Sequence, residues 1–339
     1  MTIQKENPRH ILIVGSGSVG KRHAQNLKKL GCRISCSDPR QDRINELEEA
    51  IGELVAGYRT IEEALAADKF DGVVIGSPTK FHPEQAIHAL QKNVPVLLEK
   101  PVAITLEETL KLDVVVKETS TPLLLGYTWR WWGPLNKVKT LVEGGRIGKV
   151  RYVELYMSAH LADWHPWEDY QDFFMAKKEL GGGALLDESH WIDLMLWFFG
   201  LPKSVVGAAE KISNLEIETD DNVDFLASYE DGKRVYVHLD LFGRPHERFI
   251  RFVGEEGTIF WSSEPNEIRI SESVENKSSI ETFDCDRNSM FEAVAKEFLS
   301  VLNVTTKMTC ALSDGVNVMR VVEAIRESTV TGSSIELKH

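Results

Sequence analysis

Two hydrophobic periods divide the chain. Over residues 10 to about 125, short strand-like runs alternate with longer amphipathic stretches. The first is the unbroken apolar run 11–14 (Ile-Leu-Ile-Val), and the others fall at 33–37, 71–76, 94–98 and 122–126. Unbroken runs of that length fit strands covered on both faces, as in a parallel sheet. The stretches between them, at 21–30, 42–51, 83–91 and 105–117, are free of interior breakers and predict helices. A further helix is predicted to open on the capping box Thr60-Ile-Glu-Glu. Alternating strand and helix patterns predict a doubly wound, mostly parallel sheet with helices on both faces.

Beyond residue 200 the period shortens to two. Val235, Val237, Leu239 and Leu241 alternate with Tyr236, His238, Asp240 and Phe242, which gives one apolar and one mixed face. Strands are predicted at 225–229, 235–242, 249–253 and 258–261, with turns at Asp231-Gly232 and 254–257. This half reads as mostly antiparallel with its core on one side. A strand at 150–157, a glycine-led helix at 184–199 and two last helices at 290–302 and 314–328 complete it. Val318, Val322 and Ile325 give the final helix an apolar stripe. The division expected is therefore 1–125 and 126–339, with the last helices free to pack back on the first domain. The mixed face carrying Tyr236 and Phe242 is the expected surface for a homo-oligomer.

The first apolar run leads directly into Gly15-Ser-Gly17-Ser18-Val19-Gly20 and then a helix. Strand, G-x-G-x-x-G, helix is the context in which this pattern binds a dinucleotide diphosphate. Gly15 allows the tight turn, Gly17 the approach of backbone to diphosphate, and Gly20 close packing of helix on strand. The helix N-terminus offers unpaired N–H groups to the phosphates. Asp38 closes the second strand, about 20 residues further on, where an acidic residue accepts from ribose hydroxyls and repels a 2′-phosphate. That points to NAD. Arg40 keeps NADP open, since a guanidinium near that ribose pairs with the phosphate. Ligands bind beyond the carboxyl ends of such strands, so the loops at 15–20, 77–82 and 99–101 are expected to converge on the dinucleotide.

Composition narrows the partners. The chain has 339 residues, 42% of them hydrophobic, and a net charge of −13. Such an acidic balance argues against nucleic acid or an anionic membrane. Cys32, Cys36, Cys285 and Cys310 lack metal-type spacing and read as buried free thiols in a reducing compartment. With no apolar signal core or membrane-length run, a cytoplasmic location is expected.

Three further constellations carry chemistry. Glu99-Lys100-Pro101 ends a strand expected to face the nicotinamide, where a lysine can hold a reacting oxygen. Gly181-Gly-Gly-Ala-Leu-Leu-Asp187-Glu-Ser-His190-Trp-Ile-Asp193 places Asp187 and His190 one turn apart on a helix, with His190 suited to proton exchange near neutral pH. A hydrogen-bonded core histidine beside Trp191 is the structural alternative. Asp163-Trp164-His165-Pro166-Trp167 offers aromatic faces for a sugar ring or base. Its His160, Asp163 and His165 match no standard metal site, and no metal is expected.

Taken in order, the glycine fingerprint, SPTKFH, EKP and GGGALLDESHWID resemble the glucose–fructose oxidoreductase / inositol dehydrogenase / rhizopine catabolism family over nearly the whole chain, including AIRESTVTG near its end. The resemblance implies a Rossmann domain followed by an α+β domain with a large open sheet, and oxidation or reduction of a sugar or cyclitol with NAD(P). It implies Lys100, His190 and Asp187 as catalytic residues. It places Ser77, Pro78, Thr79, His82 and Glu99 near the cofactor and Arg130 close to the active site. Trp164, His165 and Arg130 are the further candidates for a substrate pocket. One departure stands out: the family's histidine follows its aspartate by four residues, whereas His190 follows Asp187 by three, and Asp193 is a candidate to share the role. The shortened motif together with DWHPWEDY resembles a branch associated with surface-glycan and nucleotide-sugar synthesis. Two alternatives to net dehydrogenation stay open, an NAD-retaining hydrolase or epimerase cycle and a ligand sensor without turnover.

Overall fold

The computed structural model describes residues 8–164, 169–272, 278–302 and 307–337. The chain divides into two compact units. The first comprises the described residues through Ala103, with Glu107–Gly126 and Arg287–Ser313; the second comprises Ile104–Leu106, Tyr127–Asp286 and the chain from Asp314 onward.

The first unit is built on six parallel strands: β1 His10–Val14, β2 Arg33–Ser37, β3 Gly57–Tyr58, β4 Gly72–Ile75, β5 Val96–Leu98 and β6 Leu123–Leu125. Their order is β3-β2-β1-β4-β5-β6, so the strand order reverses between β1 and β4, where open α/β sheets bind ligands. Ile11, Leu12, Ile13, Val73, Val74 and Ile75 are wholly buried, which is why both runs are apolar without alternation. The helices are α1 Ser18–Lys29, α2 Gln41–Ile51, α3 Ile61–Ala67, α4 His82–Gln91 and α5 Leu106–Thr119. Thr60 caps α3 by accepting from Glu63 N–H at 3.2 Å, while the Glu63 carboxylate accepts from Arg59 N–H, one residue before the position a capping box uses.

The second unit opens with α6 Gly133–Glu143 and β7 Val150–Ser158, followed by α7 Ala184–Asp187, α8 His190–Phe199 and β8 Ser204–Glu210. Next come β9 Asn222–Ser228, β10 Arg234–Asp240, β11 Glu247–Gly254, β12 Gly257–Ser263, β13 Asn266–Glu272 and β14 Ser278–Thr282. After α9 Asn288–Val301, which is counted with the first unit, α10 Leu312–Thr331 leads to β15 Ile335–Glu336. The nine strands form one open sheet, ordered β14-β13-β12-β11-β7-β10-β9-β8-β15. All its pairs are antiparallel except β7 with β10. The alternation on β10 holds: Val235, Val237 and Leu239 are wholly buried, while Tyr236 and His238 lie half-buried on the other face.

Two expectations need correction. Cys285 is exposed, unlike Cys32, Cys36 and Cys310; it follows the edge strand β14, every residue of which is exposed. The glycine-led helix is also not continuous over 184–199. It ends at Asp187 and restarts at His190, because Glu188 leaves helical geometry (φ −90°, ψ 18°) and Trp191 N–H bonds back only three residues, to the Glu188 carbonyl at 3.0 Å. Among the described residues no helix is long and apolar enough to cross a membrane.

Candidate active site

The cofactor cradle lies in the first unit, at the end of β1. Gly15 has φ +86°, and a Cβ there would sit 2.6 Å from Ser77 N. A Cβ on Gly20 would sit 1.9 Å from the Gly15 carbonyl oxygen. Both positions therefore require glycine, one for the turn and one for the packing of α1. At Gly17 the situation is reversed, since a Cβ would meet nothing within 4 Å. No side chain caps α1, and the first-turn amides of a helix have no intrahelical acceptor. That combination fits a diphosphate.

Asp38 lies at the end of β2, 8% exposed, its two oxygens accepting from Ser16 N–H at 2.8 Å and Arg40 N–H at 2.9 Å. A carboxylate has further lone pairs for ribose hydroxyls. The Arg40 guanidinium pairs with Asp42 at the surface.

Beyond β4, Ser77 Oγ donates to Gln85 at 2.6 Å, Pro78 is half-buried and Thr79 is buried. His82, the first residue of α4, is 1% exposed. Its Nδ1 faces the Pro101 carbonyl and its Nε2 the Ser77 carbonyl, each at 2.8 Å. Burial pushes its pKa below the ordinary 6.5 against the pull of those carbonyls, and a neutral ring has one N–H to give. The loop after β4 and the turn after β5 thus meet on one imidazole, whose single N–H serves one of the two carbonyls.

In that turn Lys100 is half-buried, while Glu99 is 6% exposed and folds inward. Glu99 Oε1 meets His23 Nε2 at 2.7 Å, and Oε2 accepts from Lys100 N–H at 3.3 Å. The inward fold depends on Gly126, where a Cβ would come within 2.9 Å of the Glu99 carboxyl carbon. His23, which the sequence reading did not single out, is wholly buried on α1. Its signal was its place on the stripe Gly20, His23, Ala24, Leu27, the core-facing spacing of a helix.

In the second unit, Asp187 closes α7 and is buried, and His190 opens α8 half-buried. The Tyr127 ring meets the His190 ring edge-on at 5.7 Å, and its hydroxyl donates to Ser189 at 3.4 Å. Arg130 is 5% exposed and grips Asp193 with two nitrogens, Nε at 2.9 Å and Nη2 at 2.7 Å. Asp314 lies 3.2 Å from the same Nη2. Burial pushes the Asp193 carboxyl up to about 6, with Arg130 pulling the other way. Trp129, beside Arg130, packs on Trp132, Trp191 and Trp261. Trp164 is half-buried, and His165 lies outside the described residues. Among the described residues no group of three or more His, Cys, Asp or Glu side chains could hold a metal ion.

Comparison with known proteins follows the same division. Residues 9–127 match the oxidoreductase family, NAD-binding Rossmann fold, and residues 135–260 match the GFO/IDH/MocA C-terminal domain. The chain belongs to the GFO/IDH/MocA family. Its curated relatives in this family include an uncharacterized oxidoreductase, YrbE, of Bacillus subtilis, 23% identical over 96% of both chains. Another is the myo-inositol 2-dehydrogenase of Thermotoga maritima, 31% identical over 40% of this chain and 41% of that one. Among solved structures, levoglucosan dehydrogenase in complex with NADH superposes with a TM-score of 0.86 over 98% of this chain and 100% of that one, at 17% identity. The WlbA dehydrogenase of Bordetella pertussis, in complex with NADH and UDP-GlcNAcA, does so at 0.81, 21% identical, over 98% of this chain and the whole of the other. At such identities the structures show a common fold.

Proposed function

We propose that this family member transfers a hydride between NAD and a secondary alcohol of a sugar, a cyclitol or a nucleotide-linked sugar. The observation that carries this reading is the turn Glu99-Lys100-Pro101 at the carboxyl end of β5. It is anchored by His23 from the helix of the glycine cradle and by His82 from the loop after β4. A lysine on a turn so fixed is presented as a rigid donor beside the cofactor cradle. The names of the relatives support the substrate class, since myo-inositol and levoglucosan are rings bearing secondary hydroxyls.

When bound, the dinucleotide supplies the hydride acceptor. The chain supplies the rest. Lys100, as ammonium, donates to the alcohol oxygen and stabilises the negative charge that develops there. His190 removes the hydroxyl proton as general base. Asp187 orients His190 or binds a neighbouring hydroxyl. Trp164, His165 and Arg130 are assigned to the substrate side, Arg130 by holding Asp193 next to the segment that carries His190. The test is a titration with NAD and NADP followed by a panel of sugars, cyclitols and nucleotide sugars, read at the absorbance of the reduced nicotinamide. Reduction with one member supports the proposal. Tight cofactor binding with no reduction on the whole panel overturns it in favour of an internal redox cycle or a sensor.

We also infer that the face of the large sheet bearing Tyr156, Tyr236, His238 and Phe249 pairs copies of the chain. Tyr156 stacks on His238 and on Phe249 at 4.9 and 4.8 Å, a flat aromatic row suited to burial in an interface. Light scattering on the eluting protein should give a multimer, and a monomer at all concentrations would refute it.

A further inference from the structure

The turn that carries Lys100 has an unusual charge arrangement beneath it. Glu99 is 6% exposed and His23 wholly buried, and they meet at 2.7 Å. The His23 ring sits edge-on to Phe291 at 5.5 Å, and its Nδ1 is buried with no hydrogen-bond partner among the described residues. A proton on Nδ1 would therefore be a buried donor with nothing to receive it, which is costly. The single proton belongs on Nε2, where Glu99 accepts it. Glu99 Oε2 in turn accepts from Lys100 N–H. With both oxygens accepting, the carboxyl is ionised and the imidazole is neutral. The pair is not an ion pair: it is one buried negative charge with a neutral donor attached. Lys100 follows Glu99 in the turn, both act on His82, and the Arg22 guanidinium lies over the Phe291 ring at 4.7 Å.

We propose that Glu99 acts through its field to set the preference between the two oxidation states of the cofactor, holding the oxidised form more tightly than it would otherwise be held. The proposal rests on the reading that the nicotinamide end of the cofactor lies at the carboxyl end of β5. The oxidised ring carries a positive charge that the reduced ring lacks. Beside Lys100 alone that charge would be repelled. Glu99 makes the turn neutral overall, and His23 positions its carboxylate without cancelling it. Because the carboxylate is shielded from water, its effect is screened far less than that of a surface charge. Contact with the cofactor is not required.

The experiment measures Kd for NAD⁺ and NADH on the purified full chain, by calorimetry for the first and fluorescence for the second, and takes their ratio. Only the ratio is compared, so a change in the folded fraction or in general affinity cancels. Glu99→Gln keeps the shape and the acceptor for His23, and should move the ratio on the order of tenfold toward NADH, as loss of a partly screened unit charge would. His23→Gln keeps a neutral donor and should leave the ratio within about twofold. If Glu99→Gln does not fold, the double variant His23→Leu/Glu99→Leu replaces the polar pair by apolar groups, a change buried pairs often tolerate, with the same shift expected. An unchanged ratio on loss of Glu99, with NAD⁺ still bound one to one, overturns the proposal and leaves the dehydrogenase reading intact. A shift with His23→Gln as large as that with Glu99→Gln also overturns it, since the pair would then act as neutral. Failure of the wild-type chain to bind either form overturns the reading and the proposal together.

Discussion

The two units solve the same problem, fixing polar groups in an apolar core, in opposite ways. In the first, the cofactor cradle leans on backbone: glycine conformations, first-turn amides, and the Ser77 and Pro101 carbonyls that meet His82, with the side-chain pair of Glu99 and His23 beneath them. In the second, the candidate site rests on side chains far apart in sequence, with Arg130 held to Asp193 and Asp314. Backbone sites tolerate change in most side chains but not in glycine. Side-chain sites concentrate their dependence on a few ion pairs. The difference predicts where each unit breaks.

The largest effects should come from the residues assigned to chemistry on each side. Lys100→Ala and His190→Ala should each lower kcat by about 10²–10⁴-fold while NAD still binds. Wild-type turnover in either variant would remove that residue from the mechanism. Next in size is Arg130→Ala, which strands the Asp193 carboxylate in the core. Loss of one partner from a buried pair costs about 3–5 kcal/mol, and a large fall in Tm is expected. Lys203→Ala, which breaks an exposed pair with Glu230 in the same unit, should barely move Tm. Equal falls for the two would mean that burial does not set the dependence.

A smaller effect concerns pH. Burial holds Asp193 at about 6 against an ordinary 3.8, with Arg130 opposing. Between those values the folded chain binds a proton there that the unfolded chain does not. The stability this group contributes is full below pH 3.8 and is lost as pH rises through 6. Asp193→Asn does not titrate, so its Tm relative to wild type should rise across that window. A difference in Tm that is the same at pH 4 and pH 7.5 would contradict the assignment.

The same contrast explains what could be read before the fold was known. Strand β1, the glycine loop, Asp38 and the capped start of α3 are local patterns, each written within a few neighbouring residues. The antiparallel strands around Asp231-Gly232 were legible for the same reason. Arg130 with Asp193 was not, because the partners are 63 positions apart and no periodicity links them. Nor was the parallel pairing of β7 with β10, which joins Tyr152 to Arg234: strand pattern gives a face, not a neighbour. The break between Asp187 and His190 escaped because Glu188 and Ser189 are both compatible with a helix. Only Glu188 leaves helical geometry, and Ser189 stays within it. His23 was not singled out either, and only the fold supplies Glu99 as its partner.

One feature of the first unit bears on how the protein is made. Helix α9, near the far end of the chain, completes that unit: a Cβ on Gly72 would lie 2.8 Å from the Phe298 ring, Asn288 exchanges hydrogen bonds with Asn26 on α1, and the Cys310 carbonyl accepts from Leu125 N–H at 3.0 Å. On the ribosome, residues up to Gly126 emerge long before these partners exist. The nucleotide-binding half is therefore a late product of synthesis despite lying first in the sequence. Until α9 arrives, the surface of α1 and β4 that it covers is bare, with the His23 ring and the Asn26 amide open where Phe291 and Asn288 will sit.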